Sequence, residues 1–380
     1  MKKHILQNIA LLTLSSCLAL LLLEALSRVF LKVTSTHLIN AKGEIASMQL
    51  EPGNPAKGLK PFFDGRLVSN EFDVAVCLDS NGFRPRIMNG DQSNEDSICV
   101  TLLGDSFMFG WGVEYQKSFA TFIAEDLYTL LRHNIIITSR TVPGTGQFSQ
   151  LSLLESFPPS KSDLFLIGMY ITDHAASGND LIENLSTLYQ QQGVTSDTEN
   201  ELRVSVLRRA RRWLKQNSNL FRFVETRVGA VLLSKFSHAI QIESDPQVFD
   251  RAWSVTDSAL VAIQGFAEKY GALCLVIYIP NMLDMAQKND ATYKKLQAIC
   301  GRNSLSLAPN PIALFHSGTK DFNVADFYYS GDGHWTARAH EIVAESTAQF
   351  LIDEFYAKKN KKTPPTISTG NGLRAQPHDQ

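Results

Sequence analysis

The chain has 380 residues, of which 44% are hydrophobic and 19% charged; this suffices for one sizeable α/β core and excludes a disordered protein. With 36 basic and 38 acidic residues the formal charge is −2, so no global field points toward nucleic acid or an acidic polymer. The five cysteines, Cys17, Cys77, Cys99, Cys274 and Cys300, show no CxxC spacing, which argues against a thiolate metal centre or a redox motif.

The N-terminus, residues 1–32, reads as a membrane anchor. Lys2 and Lys3 precede an apolar run from Ile9 to Leu23 that continues through Glu24 to Leu31, long enough at about 1.5 Å per residue to cross a ~30 Å hydrocarbon core. Glu24 and Arg28 interrupt its far end but stand four apart on a helix, where they can pair. Leu14-Ser15-Ser16-Cys17 also resembles a lipobox, which would make Cys17 a lipidated N-terminus, yet the residues after it stay apolar. The lysines favour a cytoplasmic N-terminus and an extracytoplasmic, periplasmic-side body.

Residues 33–97 read as a loop-rich lead-in, with Pro52, Pro55 and Pro61. A catalytic-sized unit over 98–357 follows. The short apolar runs Ile98 to Leu103, Asn134 to Ser139, Leu164 to Tyr170 and Ala272 to Ile279 suit buried parallel strands. Between them lie expected helices at Phe119 to Arg132, Ser149 to Ser156, Phe249 to Tyr270 and Tyr293 to Arg302, with a last one at Thr336 to Tyr356. Strands separated by helices imply crossovers and a doubly wound sheet. An insertion at 178–246 breaks the alternation and carries a basic amphipathic stretch, Arg203 to Lys215. That stretch suits either a solvated cap helix or a contact with a membrane surface. The tail 358–380 is polar and is expected to be disordered.

Ligand sites in open α/β sheets lie beyond the carboxyl ends of the strands, so the loops there carry the candidates. Gly104-Asp105-Ser106-Phe107 follows the first run; a serine between strand and helix exposes its hydroxyl and sets a backbone N–H where an oxyanion could form. A helix-capping serine is the ordinary alternative. Val142-Pro143-Gly144-Thr145-Gly146 follows the second run, and the Gly144 N–H could be a second oxyanion donor, or the segment a simple turn. Ile171-Thr172-Asp173-His174 follows the third, with His174 read as a surface histidine. Ser330-Gly331-Asp332-Gly333-His334 precedes the last helix. Residues i and i+2 of an extended segment point the same way, so Asp332 can orient His334 while its other ring nitrogen takes a proton from Ser106. A metal site of Asp332, His334 and His340 is the rival reading, without a second ligand cluster at a recognised spacing.

Together these segments resemble the SGNH/GDSL hydrolase family over about Asp79 to Glu354. Gly104-Asp105-Ser106-Phe107 is similar to its nucleophile block and Gly144 to its oxyanion glycine, while Thr172 stands where the family has an asparagine. Asp332-Gly333-His334 is shorter than the usual Asp-x-x-His and resembles the Asp-x-His of alginate O-acetyltransferase relatives. Asn81-Gly82-Phe83-Arg84 is similar to the lead-in of membrane-anchored bacterial members. The resemblance implies a flavodoxin-like three-layer α/β/α sandwich with a central parallel sheet, preceded by a transmembrane helix. It also implies a serine esterase or O-acyltransferase with Ser106, Asp332 and His334 catalytic and Ser106, Gly144 and Thr172 at the oxyanion. No metal or other cofactor is called for. The expected partners are a small-molecule or carbohydrate acyl ester and the membrane, with no nucleic acid. The reading from another class is a catalytically degenerate SGNH module that binds glycan or scaffolds an envelope complex.

Overall fold

The structure, a computed structural model, describes residues 2–30, 36–51, 57–90, 97–172, 180–191, 214, 218, 220–221, 246–317 and 322–362. Its first element is a helix, α1, Lys2–Phe30. Arg28 Nε donates to Glu24 Oε1 at 2.8 Å, the pairing expected from their spacing. The other Glu24 oxygen accepts from the Ser218 hydroxyl at 2.7 Å and the Leu220 N–H at 3.1 Å, so α1 touches the insertion. Leu12, Leu18 and Leu20 to Leu23 are exposed on α1. Among the described residues no helix is long and apolar enough to cross a membrane, and the expected span is therefore not found there. The basic stretch Arg203 to Lys215 lies, but for Leu214, outside the described residues.

The lead-in departs from its loop-rich reading. Strands β1 (His37–Asn40), β2 (Asp64–Val68) and β3 (Asp73–Cys77) form an antiparallel sheet in that order. Leu67, Val74 and Val76 alternate inward from β2 and β3 and join Met48, Leu59 and Phe63 in a second core. That core also takes in Phe109 and Val142, which flank the candidate serine and glycine loops. A further strand, β4 (Ile87–Asn89), leaves the lead-in and pairs antiparallel with the edge of the main sheet.

The main sheet continues with β5 (Ile98–Gly104), β6 (Ile135–Thr141), β7 (Leu164–Tyr170), β8 (Leu273–Ile279) and β9 (Ser306–Leu307). These five are parallel, in the order β6-β5-β7-β8-β9. The four runs read from sequence are thus strands, because continuous Val, Leu and Ile suits strands covered on both faces. Leu102, Leu103, Leu166, Ile167, Val276 and Ile277 are at most 1% exposed.

Helices alternate with the strands: α2 (Ser106–Phe109), α3 (Phe119–Leu131), α4 (Gln147–Ser156), α5 (Asp180–Gln191) and α6 (Pro246–Glu268). After β8 come α7 (Met282–Gln287), α8 (Ala291–Arg302), α9 (Pro311–Ser317) and α10 (Ala337–Lys362), the last running past its expected end at Tyr356. The chain steps from β5 to β6 in one direction and back past β5 to β7 in the other. Right-handed crossovers then place α3 and α4 on opposite faces of the sheet. Consistent with this, α3 packs with α10, while α4, α5 and α6 pack together. The reversal puts a crevice at the carboxyl ends of β5 and β7, the place where such sheets bind ligands.

Candidate active site

Ser106 stands at that crevice as the first residue of α2, two residues after β5 runs out at Gly104. The turn between them is made by glycine and aspartate. Gly104 has φ +152°, and a Cβ there would come within 2.6 Å of the Met108 side chain, so the strand can break sharply only with glycine at this position. Asp105 caps α2, its Oδ1 accepting from the Phe107 N–H at 2.9 Å. Capping therefore belongs to Asp105, and the Ser106 hydroxyl is left for chemistry.

The partner of that hydroxyl comes from the other end of the chain. Ser106 Oγ lies 2.7 Å from His334 Nε2, and His334 Nδ1 is hydrogen-bonded to Asp332 Oδ1. An ionised carboxylate can only accept, so Nδ1 carries the imidazole proton and Nε2 is the acceptor for the serine O–H. The structure thus brings Ser106, His334 and Asp332 together, as the sequence led us to expect, but by a different local geometry. The segment is not extended. Tyr328 and Trp335 form an antiparallel bridge, the Gly333 N–H donates to the Tyr329 carbonyl at 2.7 Å, and Gly333 has φ +89°. Asp332 and His334 are adjacent because a tight turn folds one onto the other.

Burial alone would raise the Asp332 carboxyl, whose side chain is only 10% exposed. The neighbouring His334, the hydroxyl of Thr36 and the indole of Trp111 outweigh that cost and hold it below its ordinary value. Thr36 Oγ1 donates to Asp332 Oδ2 at 2.7 Å. The His334 ring is enclosed by Phe107, 4.7 Å between centroids, and Trp111 at 5.6 Å, and Phe107 in turn stacks on Tyr170. The imidazole is therefore fixed on its flanks as well as at Nδ1.

The remaining sequence candidates are placed as follows. Gly144, with φ +80°, is exposed on the loop after β6, and that loop is tied to the serine turn by the Val142 N–H, which donates to the Gly104 carbonyl at 3.1 Å. Thr172, fully buried after β7, accepts a hydrogen bond from the Asn281 amide. Asn281 follows β8 and was not singled out in the sequence. Its amide nitrogen also donates to Asp284 Oδ2 at 2.7 Å. His174 lies outside the described residues. His340, of the rival metal reading, sits fully buried on α10 with its ring edge-on to Trp335, and burial together with nearby His334 lowers its pKa to about 3. Among the described residues no group of three His, Cys, Asp or Glu is arranged to hold a metal ion.

Arg84, from the Asn81-Gly82-Phe83-Arg84 stretch, lies beneath the serine turn rather than in it. Its guanidinium is buried over the Phe109 ring, 4.3 Å from the centroid, and donates to the carbonyls of Phe109 and Ala75, tying the small sheet to α2.

Two further carboxyls lie buried behind the nucleophile. Burial raises Asp105 to about 6, against the pull of the Phe107 N–H and of His334, and raises Asp180 well above its usual range, with Asp105 adding to the shift. Asp180 accepts from Gln147 Nε2 at 2.7 Å and from the Tyr170 N–H at 3.2 Å. An acid whose folded pKa lies above its unfolded value favours folding most when protonated, and this contribution is lost as the pH rises through the folded value. Stability is therefore expected to fall between about pH 4 and pH 6–7 on account of Asp105. Asp105→Asn keeps a cap acceptor for the Phe107 N–H and should flatten that part of a plot of melting temperature against pH. An unchanged slope would show that Asp105 does not titrate there.

No family model matches the chain, and no curated protein does. Solved structures similar to it include a lipase/acylhydrolase from Enterococcus faecalis, 10% identical over 68% of this chain and 96% of that one, with a TM-score of 0.39. An acetylxylan esterase, Axe2, from Geobacillus stearothermophilus is 10% identical over 67% and 93%, with a TM-score of 0.38. The psychrotrophic esterase EstA from Pseudoalteromonas sp. is 10% identical over 69% and 98%, with a TM-score of 0.35. Likeness of this size carries no argument about chemistry, which has to come from the residues of the site.

Proposed function

We propose that the chain is a serine-dependent ester hydrolase or O-acyltransferase of the SGNH type, acting on acyl esters, acetyl foremost, of an envelope carbohydrate or lipid. The observation that carries this reading is the hydrogen-bonded series Ser106, His334, Asp332 at the carboxyl edge of β5, where the strand order reverses. As Ser106 Oγ attacks the ester carbonyl, His334 Nε2 takes its proton and Asp332 stabilises the imidazolium that forms. The carbonyl oxygen becomes an oxyanion that the N–H groups of Ser106 and Gly144 receive. The imidazolium then gives its proton to the departing alcohol, and the acyl group stays on Ser106. Water resolves the acyl-enzyme in a hydrolase and a sugar hydroxyl in a transferase, with His334 acting again as base. Every proton and electron pair is accounted for by these three side chains, the ester and the acceptor hydroxyl, water or sugar, without a cofactor.

The deciding experiment is mass spectrometry of the purified chain after incubation with an activated acetyl ester, with and without a sugar acceptor. An acetyl adduct on Ser106 is expected, released faster by whichever acceptor the enzyme uses. Turnover without any Ser106 adduct, retained in Ser106→Ala, would overturn the reading.

On the same reading α1 anchors the enzyme in a membrane, with the body on the extracytoplasmic side. Its support is the row of exposed leucines on α1, which water does not favour and lipid does.

A further inference from the structure

A catalytic carboxylate has two oxygens, and a triad uses only one. In this chain the second one is taken by a residue from the opposite end of the sequence, 296 positions away. Thr36 directly precedes β1, and its hydroxyl donates to Asp332 Oδ2 at 2.7 Å while Oδ1 holds His334. The same small sheet reaches the turn twice more. Glu71, in the hairpin between β2 and β3, accepts through Oε2 from the Gly331 N–H at 2.8 Å. Phe72 beside it packs on Tyr329, with centroids 4.9 Å apart, and the Tyr329 hydroxyl donates to the Gly112 carbonyl at 3.0 Å.

We propose that Thr36 is a positioning residue of the active site and that β1-β2-β3 is part of the catalytic machinery rather than a lead-in to it, because Thr36 and Glu71 hold the Asp332 turn in its reactive arrangement. The physical case rests on what a carboxylate does without this donor. Without Thr36, Asp332 sits in a turn with His334 and the Trp111 indole as its remaining partners, and its outer oxygen loses the hydroxyl that sets its rotation about the Cβ–Cγ bond. Removing a hydroxyl donor from a carboxylate oxygen this deeply buried costs more than the hydrogen bond itself contributes. With Thr36 in place, one oxygen is satisfied and the other is aimed at Nδ1, so the imidazole keeps the tautomer that Ser106 needs. Thr36 acts through Asp332 and touches no reacting atom.

This inference rests on the ester-cleaving reading, and its test separates the two. Thr36→Val keeps the shape of the side chain and removes the donor, whereas Thr36→Ser keeps the donor and removes the methyl. In the full chain, Thr36→Val is expected to lower kcat about 10- to 100-fold with KM within about twofold, the size of a hydrogen bond to a charged group. Thr36→Ser is expected to stay within about threefold of the wild type. A second readout needs no turnover: the far-downfield proton of His334 Nδ1–H in an NMR spectrum should disappear at a higher pH in Thr36→Val, since the carboxylate has lost a donor that favoured its charged form. Wild-type kcat and an unshifted signal in Thr36→Val would overturn the proposal, and so would a Thr36→Ser variant as impaired as Thr36→Val, which would make the methyl's packing the cause. If turnover survives Ser106→Ala, the catalytic reading fails, and the NMR comparison still decides whether Thr36 positions Asp332.

Discussion

Ser106→Ala and His334→Ala are each expected to lower turnover of a simple acetyl ester by about 10⁴-fold or more, and the double variant is expected to lose no more than the worse of the two. The reason is the 2.7 Å contact between Ser106 Oγ and His334 Nε2. A serine hydroxyl is a poor nucleophile until its proton has somewhere to go, and an imidazole next to an alanine has no proton to take. Either loss removes the same step. What survives is the residual rate that substrate binding and the proposed oxyanion donors supply. Losses that multiply in the double variant would show that the two residues act independently. The comparison is made at saturating ester, with melting temperatures to show that each variant folds. Neither substitution should disturb the fold much, because the main-chain bridge between Tyr328 and Trp335 fixes the histidine turn without the His334 ring.

The parts of this site that were legible in the sequence are those whose signal is local. Leu164 to Tyr170 is a continuous apolar run, and such runs mark doubly covered strands whatever else the chain does. A serine between a glycine-containing turn and a helix, and an Asp-x-His before the last helix, are local patterns too. Asp332 and His334 could be paired by their spacing even though the reason given, an extended segment, is not the one the structure uses. The small sheet was less legible, because its strands are only four or five residues long and carry exposed residues, Asp64, Arg66, Asp73 and Cys77, at their outward positions. The prolines around 52–61 then made the stretch read as loop. Thr36 carries no local signal at all: one threonine in a polar run becomes meaningful only when the fold brings it to a carboxylate from the far end of the chain. The same holds for Asn281, whose amide meets Thr172 across two parallel strands.

Asp332→Asn is expected to cost about 10³- to 10⁴-fold in kcat, with little change in KM, because it attacks the tautomer rather than the nucleophile. In the wild type both carboxylate oxygens accept, one from His334 Nδ1–H and the other from the Thr36 hydroxyl. An asparagine amide has one acceptor and one donor group, so it cannot replace both bonds in kind. If its oxygen stays with Thr36, its N–H group faces Nδ1, the ring proton moves to Nε2, and His334 can no longer take the proton of Ser106. If its oxygen turns to Nδ1 instead, the tautomer is kept but the imidazolium formed during attack has lost its counter-charge, buried where screening by water is weak. Both arrangements are slow, and the first is the slower, so the size of the loss reports which one forms. The Nδ1–H signal gives an independent reading, absent in the first arrangement and present in the second. A variant that turns over at the wild-type rate would show that Asp332 neither orients nor stabilises His334, and the base would then have to be a histidine acting alone.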